Sequence, residues 1–491
     1  MRDLIAVSAF TVAQSLCSTA VALLVGMAAS FFTARRDFFG RRLLLSLSSV
    51  PLCVPTLLVA LGFVSFFGMS GTLNTILKNL LGTDKPPVTL LYSFVGIVVA
   101  QGFYNFPLVM VTINDAWTRI PGGQAEAARL LGAGEARVFR TVTVFQLMPA
   151  VVSSCTLVFL YCFFSFLIIL LFGGVGCTTL EVEIYKSARA TLDFAETARL
   201  AAAETAIAGL FVSLYAVLER KSAKSRGVAF HQRNAGQRIG GGCERIFFFL
   251  VIALILLFFI APILSILYNA VSSPKSALTA ATLVRAVSMR GFAQSLVTTV
   301  LVALATSVLC VIVAFFYSAF LRSFDASGRI TALRILPMIP MALSSVVTGV
   351  LITMAVRRGT VAHLIAAQVL LTWPLAFRQI HAALSKIHQE TVDAARILGR
   401  KKSDLLLRIY LPQSWRGILS AAGFCFAASA GDTTLPLVLA LPKFTTLSLF
   451  TYRLAGAYRF HEACASGLIL GALCMGVFAL ANRLKGADYV L

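Results

Sequence analysis

The sequence predicts an all-α integral membrane protein: a polytopic bundle of about eleven transmembrane helices in two parallel repeated halves. Three observations lead there. Of 491 residues, 58% are hydrophobic and 13% charged, and the mean hydropathy is +0.88, a balance outside the soluble globular range. Apolar runs repeatedly exceed the ~18 to 20 residues that a helix needs to cross a bilayer, whereas the strands of a barrel would alternate. Finally, a set of identities recurs in the second half at one fixed spacing of 267 residues.

Taken in order, the low-charge windows are 8–33, 43–67, 90–114, 147–172 and 200–218, then 246–271, 292–321, 330–356, 361–383, 417–441 and 464–482. The first apolar run, Leu4 to Ala34, is too long for the core of a signal peptide and reads as a retained helix. The window at 361–383 is interrupted by His363, Pro374 and Arg378, yet the alternation of sides needs it.

Charge sets the orientation. With the loop at 117–146 on the cytoplasmic side, cytoplasmic segments hold 28 Lys and Arg and outer segments 14, so basic residues concentrate inside and the C-terminus is expected in the cytoplasm. The same rule accounts for the net charge of +22 without nucleic acid, which is not expected as a partner. The expected organisation is a first half, 1–218, a basic and Gly-rich cytoplasmic linker, 219–245, and a second half, 246–491.

The repeat links Gln101, Pro107, Ile120, Ala127, Ala128, Arg129, Leu131, Gly132, Phe159, Thr178, Thr179, Leu180 and Tyr185 to Gln368, Pro374, Ile387, Ala394, Ala395, Arg396, Leu398, Gly399, Phe426, Thr445, Thr446, Leu447 and Tyr452. No gap is needed between them, and six windows separate the copies, so both lie on one side and the repeat is parallel. Upstream, Gln14-Ser15-Leu16 answers Gln294-Ser295-Leu296. Window 246–271 then has no counterpart in the thirteen residues ahead of Gln14; either the first half lacks a leading helix or the chain begins upstream of Met1.

Inside each repeated stretch lies a charged segment, AEAARLLGAGEARVFR (Ala125 to Arg140) in the loop 117–146 and DAARILGRKKSDLLLRIYLP (Asp393 to Pro412) in the loop 384–416. Each is expected to form a short helix, opened near Pro121 or His388 and closed by a left-handed glycine, Gly132 or Gly399, then a second short helix returning to the membrane. Glu126 with Arg129 and Asp393 with Arg396 stand at helical i, i+3 spacing. The alanine pairs with Leu131 or Leu398 form an apolar knob, which suits docking and not catalysis.

These segments resemble the coupling loop of binding-protein-dependent ABC importer permeases. Two such loops fused in one chain resemble the thiamine and ferric-iron branch, and FFSFLIILLFGGVGCTTLEVEIYKSA, Phe163 to Ala188, with SAGDTTLPLVL, Ser429 to Leu439, is more similar to the thiamine type. The resemblance implies a type I ABC importer permease fold in a bacterial inner membrane. It implies alternating access for a small solute, most closely thiamine or a thiamine phosphate, with ferric iron as the alternative cargo. It implies two copies of an ABC ATPase docking on Glu126, Ala127, Ala128 and Gly132 and on Asp393, Ala394, Ala395 and Gly399, and an extracytoplasmic substrate-binding protein. ATP and Mg would be used by the ATPase. This chain has no G-x-x-x-x-G-K-[ST] phosphate loop and no catalytic constellation, and is expected to be no enzyme and to bind no cofactor of its own. Copy two departs from the pattern with Asp393 in place of Glu, and copy one with Val144-Phe145 where copy two has Leu411-Pro412.

For the solute path, Asp432 is the acidic residue deep in a predicted span, beside Gly431. Two readings stand, a site for a cationic solute, or a residue that caps a helix break or sits in an aqueous vestibule. Thr178, Thr179 and Tyr185, with Thr445, Thr446 and Tyr452, either line the outer mouth or shape a re-entry turn. Glu204 and Arg334 lie near span ends and are expected to snorkel. The ten cysteines are scattered without C-x-x-C and the five histidines without H-E-x-x-H, so no metal site is expected. An ion-coupled carrier also has two parallel halves, but would place several ionisable groups at midplane.

Overall fold

A computed structural model describes residues 4–46, 54–120, 122–174, 176–224, 239–272, 280–324, 333, 336–356, 359–399 and 402–484. In chain order the principal helices are α1 (Leu4–Arg35), α2 (Thr56–Phe67), α3 (Thr72–Leu81), α4 (Phe94–Thr118), α5 (Gly122–Leu130), α6 (Val144–Phe163), α7 (Phe166–Phe172), α8 (Leu180–Lys186) and α9 (Phe194–Lys224). They continue as α10 (Gly242–Val271, with a wide turn at Leu256–Ile260), α11 (Ala281–Ser288), α12 (Phe292–Phe324), α13 (Ser345–Ala355), α14 (Val361–Ser385), α15 (Gln389–Ile397), α16 (Leu411–Gly431), α17 (Thr434–Leu439), α18 (Leu447–Gly456) and α19 (Phe460–Arg483).

Among the described residues nine helices are long and apolar enough to cross a membrane, or ten with a pair bent by 87°, Leu336–Ala342 and α13. Pro337 and Pro340 account for that bend, since proline cannot donate to a continuous helical ladder. The 21 residues of α16 are also long enough to span, though Gln413, Ser414 and Arg416 keep its first turns polar. Linker residues 225–238, Arg334 and Pro121 lie outside the described residues.

Two predicted spans, 147–172 and 417–441, are each broken. The first stops at Phe163 and restarts at Phe166; the second stops at Gly431 and restarts at Thr434. The breaks fall at repeat-equivalent positions, so they belong to the fold of each half.

The compact units do not follow the expected halves. One comprises residues 1–51, 59–183 and 198–265, the other 52–58, 184–197 and 266–491. The reason lies in α10. Its first turns and its wide turn pack on the first repeat: Phe248 meets Phe32 and Phe38 at ring distances of 5.1 and 5.0 Å, and Phe258 stacks on Phe103 at 4.7 Å. Arg36 pairs with Glu244 beside them. Aromatic rings placed along one side of a helix follow the surface that offers rings in return, and that surface is α1 and α4.

Each unit closes around small residues, as helices packing in lipid require. In the first, a Cβ on Gly26 would come within 2.7 Å of Val109, and one on Gly102 within 2.6 Å of Val21, so α1 and α4 cross in close contact. In the second, Gly417 and Gly423 of α16 lie equally close to Ala383 of α14 and Ala481 of α19.

The expected upstream register holds only in part. Gln14 is buried, whereas Gln294 is exposed. Equivalence shows instead in two threonines: Thr11 accepts the N–H of Leu180 at 3.0 Å, and Thr299 accepts that of Leu447 at 2.7 Å. Thr11 and Thr299 are 288 apart, not 280. The Gln-Ser-Leu echo is shared only in part: Ser15 and Ser295 are both buried and their carbonyls accept the hydroxyls of Thr19 and Thr299 at 2.7 and 2.8 Å, whereas the glutamines ahead of them face different surroundings.

Candidate functional site: two charged segments and two helix breaks

Both charged segments form the short helices expected of them, α5 and α15. Gly132 and Gly399 close them at φ +82° and +71°, the left-handed region that suits glycine. In copy one the closure is a Schellman turn: Gly132 donates to the Arg129 carbonyl at 2.9 Å and Ala133 to Ala128 at 3.0 Å, satisfying carbonyls the helix end leaves open.

What each helix presents follows from 100° per residue. On α15, Val392 at 0% and Ala395 at 9% exposure face the core formed with Ile387, Leu405 and Tyr410. Asp393 and Ala394 face outward, with Ile397 and Leu398 at 86% and 78% exposure. Ala395 therefore anchors the helix instead of forming part of the outward knob. On α5, Glu126 and Ala127 are exposed, Ala128 is half-buried, and Leu130 and Leu131 stand out at 88% and 89%. The sequence pointed to Leu131 and Leu398; the structure adds Leu130 and Ile397, and the signal was the apolar pair immediately ahead of each glycine.

In copy one the expected i, i+3 neighbour Glu126 keeps an electrostatic influence on Arg129, but the hydrogen bond goes elsewhere. Arg129 turns to Glu135 on the following turn, with Nε at 2.6 Å from the carboxylate, which raises the affinity of the guanidinium for its proton. Glu135 also faces Arg35 at 3.7 Å, so the end of α1 and the charged helix share one carboxylate. In copy two, Asp393 accepts from Gln389 at 3.2 Å; the Arg396 side chain is outside the described set. Here Arg322 of α12 serves the linking role, donating to the carbonyls of Leu384 and Ile387 while lying over the Tyr410 ring. In both copies an arginine at the end of the first core helix thus ties that helix to the charged segment. Each segment returns to the membrane through a wide helical turn, Phe139–Thr143 or Leu405–Tyr410, a local form that recurs at functional positions.

At the other end of α16, roughly 30 Å away at 1.5 Å per residue, Asp432 sits at the break. It is half-buried and not mid-helix. Oδ1 accepts the N–H groups of Thr434 and Leu435 at 3.0 and 3.3 Å, and Oδ2 accepts Gln368 Nε2 at 3.2 Å. This is an N-cap on α17, so of the two readings the geometry favours the cap. Gly431 is close-packed, its Cβ position 3.0 Å from Pro55. Ser165 occupies the corresponding break in copy one.

The threonines likewise shape turns. Thr178 donates to Glu183 at 2.7 Å, Thr446 caps α18 by accepting from Leu449, and Thr445 accepts from Arg453 at 3.1 Å. Thr178, Thr179 and Thr446 are at most 4% exposed. Tyr185 and Tyr452 remain half-exposed, and within their unit these repeat mates lie within electrostatic reach of each other. Glu204, expected near a span end, lies instead inside the Phe194–Leu214 span at 1% exposure, and Glu181, which the sequence did not single out, is as buried. Glu204 therefore does not snorkel, because its position is nearly three turns inside the helix on the packed side.

Residues 22–226 and 329–485 match the family described as binding-protein-dependent transport system inner membrane component. The chain is 28% identical to the thiamine transport system permease protein ThiP of Brucella abortus (strain 2308), covering 97% of this chain and 87% of that one. To ThiP of Escherichia coli (strain K12) it is 27% identical, over 92% and 84%. A putative 2-aminoethylphosphonate transport system permease protein, PhnU of Salmonella choleraesuis (strain SC-B67), is 33% identical over 40% of this chain and 69% of its own. Among solved structures, a bacterial ABC transporter importing the acidic polysaccharide alginate aligns with a TM-score of 0.40 at 15% identity, over 49% of this chain and 94% of that one.

Proposed function

This chain belongs to the binding-protein-dependent transport system inner membrane component family, the multi-pass permeases of ABC importers, and we propose that its cargo is thiamine or a thiamine phosphate. The observation that carries the cargo is the similarity to permeases named for thiamine transport over nearly the whole chain.

The permease takes solute from an extracytoplasmic binding protein, and two copies of a separate ATPase, which bind ATP and Mg, dock on α5 and α15 with the C-terminus on their side of the membrane. Glu126, Ala127 and the Leu130–Leu131 tip in one copy, and Asp393, Ala394 and the Ile397–Leu398 tip in the other, form the docking surface. Gly132 and Gly399 set the direction of each tip, while Ala128 and Ala395 seat the helix. Movement of a docked ATPase passes to α1 through Arg129, Glu135 and Arg35, and to α12 and α14 through Arg322. These are charge-assisted contacts, which hold direction better than neutral ones.

On the solute side, Asp432 and Gly431 hold the break, the four threonines shape the re-entry turns, and Tyr185 with Tyr452 are the pathway residues exposed enough to meet a heteroaromatic cation. The test is uptake of labelled thiamine by liposomes holding this chain with its ATPase and binding protein. ATP-dependent uptake that persists after ion gradients are collapsed is the expected result. Uptake of ferric iron without thiamine would replace the cargo, and loss of uptake with the gradients would replace the mechanism.

A further inference from the structure

Arg189 lies in the wide helical turn Ser187–Thr191 and is exposed at its surface. Its guanidinium reaches a fully buried carbonyl: Nε donates to Val438 at 3.0 Å, and Nη2 donates to the same oxygen. Both residues belong to the second compact unit, although Arg189 comes from the first repeat.

Val438 lies in the last turn of α17, where helix carbonyls lack partners and carry the negative end of the dipole. The opposite end of α17 is capped by Asp432. This six-residue segment, too short to be stable alone, is therefore held at each end by a charge of the favourable sign. Two non-glycine residues in the left-handed region flank the arginine contact: Leu192 at φ 54°, three residues after Arg189, and Ala440 at φ 45°, two after Val438. Side chains there are strained, and such conformations persist where surroundings enforce them. The Val438 side chain in turn presses on α13, its Cγ1 lying 2.8 Å from the Cβ position of Gly349.

We propose that the Arg189–Val438 contact is a releasable latch, which holds α17 in the conformation described here and lets go as the path opens. Strain at Leu192 and Ala440 favours release, and the charge-assisted bonds oppose it. The role in opening rests on the permease reading; the latch itself does not.

Hydrogen exchange of this chain in lipid nanodiscs tests the latch without any partner. Arg189→Gln should raise exchange over residues 434–443 roughly tenfold, the loss of one charged hydrogen bond, with Arg189→Lys in between and residues 447–456 unchanged. Equal exchange in all three proteins overturns the latch. In the complex with its ATPase, Arg189→Gln should raise ATP hydrolysis in the absence of binding protein severalfold. Faster exchange with that hydrolysis unchanged overturns the role in opening. Failure of the permease reading would show separately, as absence of solute uptake by the unaltered chain.

Discussion

Gln368 donates its amide to Asp432 at 3.2 Å, while its carbonyl accepts the hydroxyls of Ser429 and Thr306 at 2.6 and 3.1 Å. Its repeat mate Gln101 is as buried, yet the chain carries Cys162 and Ser165 where copy two has Ser429 and Asp432. The two breaks are alike in backbone position and unlike in chemistry, so the carboxylate belongs to one half alone.

That difference makes Asp432 separable into shape and charge. Asp432→Ala removes the cap and leaves the buried Gln368 amide without its carboxylate, which should lower stability by about 2 kcal/mol. Asp432→Asn keeps an oxygen for the cap and should stay within about 0.5 kcal/mol of the parent. Thermal unfolding in detergent measures both. Transport by the Asn variant should match the parent; its loss in a protein of unchanged stability would return the carboxylate to the solute.

The threonine pair at the re-entry turns gives the second expectation. Thr11→Val and Thr299→Val each leave a buried N–H, of Leu180 or Leu447, without its acceptor, at a cost of about 1 to 3 kcal/mol. Hydrogen exchange should rise locally, over 180–184 in one variant and 447–451 in the other. Substitution at Gln294, which is exposed, should change neither.

These threonines also show where the sequence was legible. The 267-residue spacing located both charged helices and both glycine caps, because a cap and the exposed apolar pair ahead of it depend on a few adjacent residues that a repeat preserves together. Upstream, small polar residues recur along α1 and α12, so the spacing of 280 matched Ser15 with Ser295, while the spacing of 288 rests on hydroxyl groups of Thr11 and Thr299 whose partners lie 169 and 148 residues away. The placement of α10 was hidden for the same reason: a phenylalanine-rich helix fits either unit by composition, and only Phe32, Phe38 and Phe103 decide which. Arg129 keeps Glu126 as an electrostatic neighbour but hydrogen-bonds Glu135, because i, i+3 geometry is a weak preference that a better-placed carboxylate outcompetes.

The glycine caps isolate backbone direction from contact. A Cβ on Gly132 or Gly399 meets nothing within 4 Å, so Gly132→Ala and Gly399→Ala act through positive φ alone, costing about 1 kcal/mol each. Relaxing that φ turns the Leu130–Leu131 or Ile397–Leu398 tip away from its present direction. Recovery of the ATPase on purification should fall severalfold in each variant while the chain itself remains folded. Gly134→Ala, two residues beyond the cap and also in open space, should recover as much ATPase as the parent.

Charge on the outward faces gives the last expectation. Glu126 and Asp393 are both exposed, and neither closes the helix it lies on, so Glu126→Lys and Asp393→Lys leave the fold intact. A reversed charge at a docking rim opposes association more than it alters the folded chain. The single variants should weaken ATPase binding, and the double variant should abolish coupled transport. Ala395→Glu separates docking from seating. Because Ala395 packs inward at 9% exposure, an acid there must unseat α15 from Ile387 and Leu405, and the variant should lose thermal stability as well as partner binding. If Ala394→Glu, on the outward face, destabilised the chain as much as Ala395→Glu, the division of α15 into a docking face and a seating face would fail.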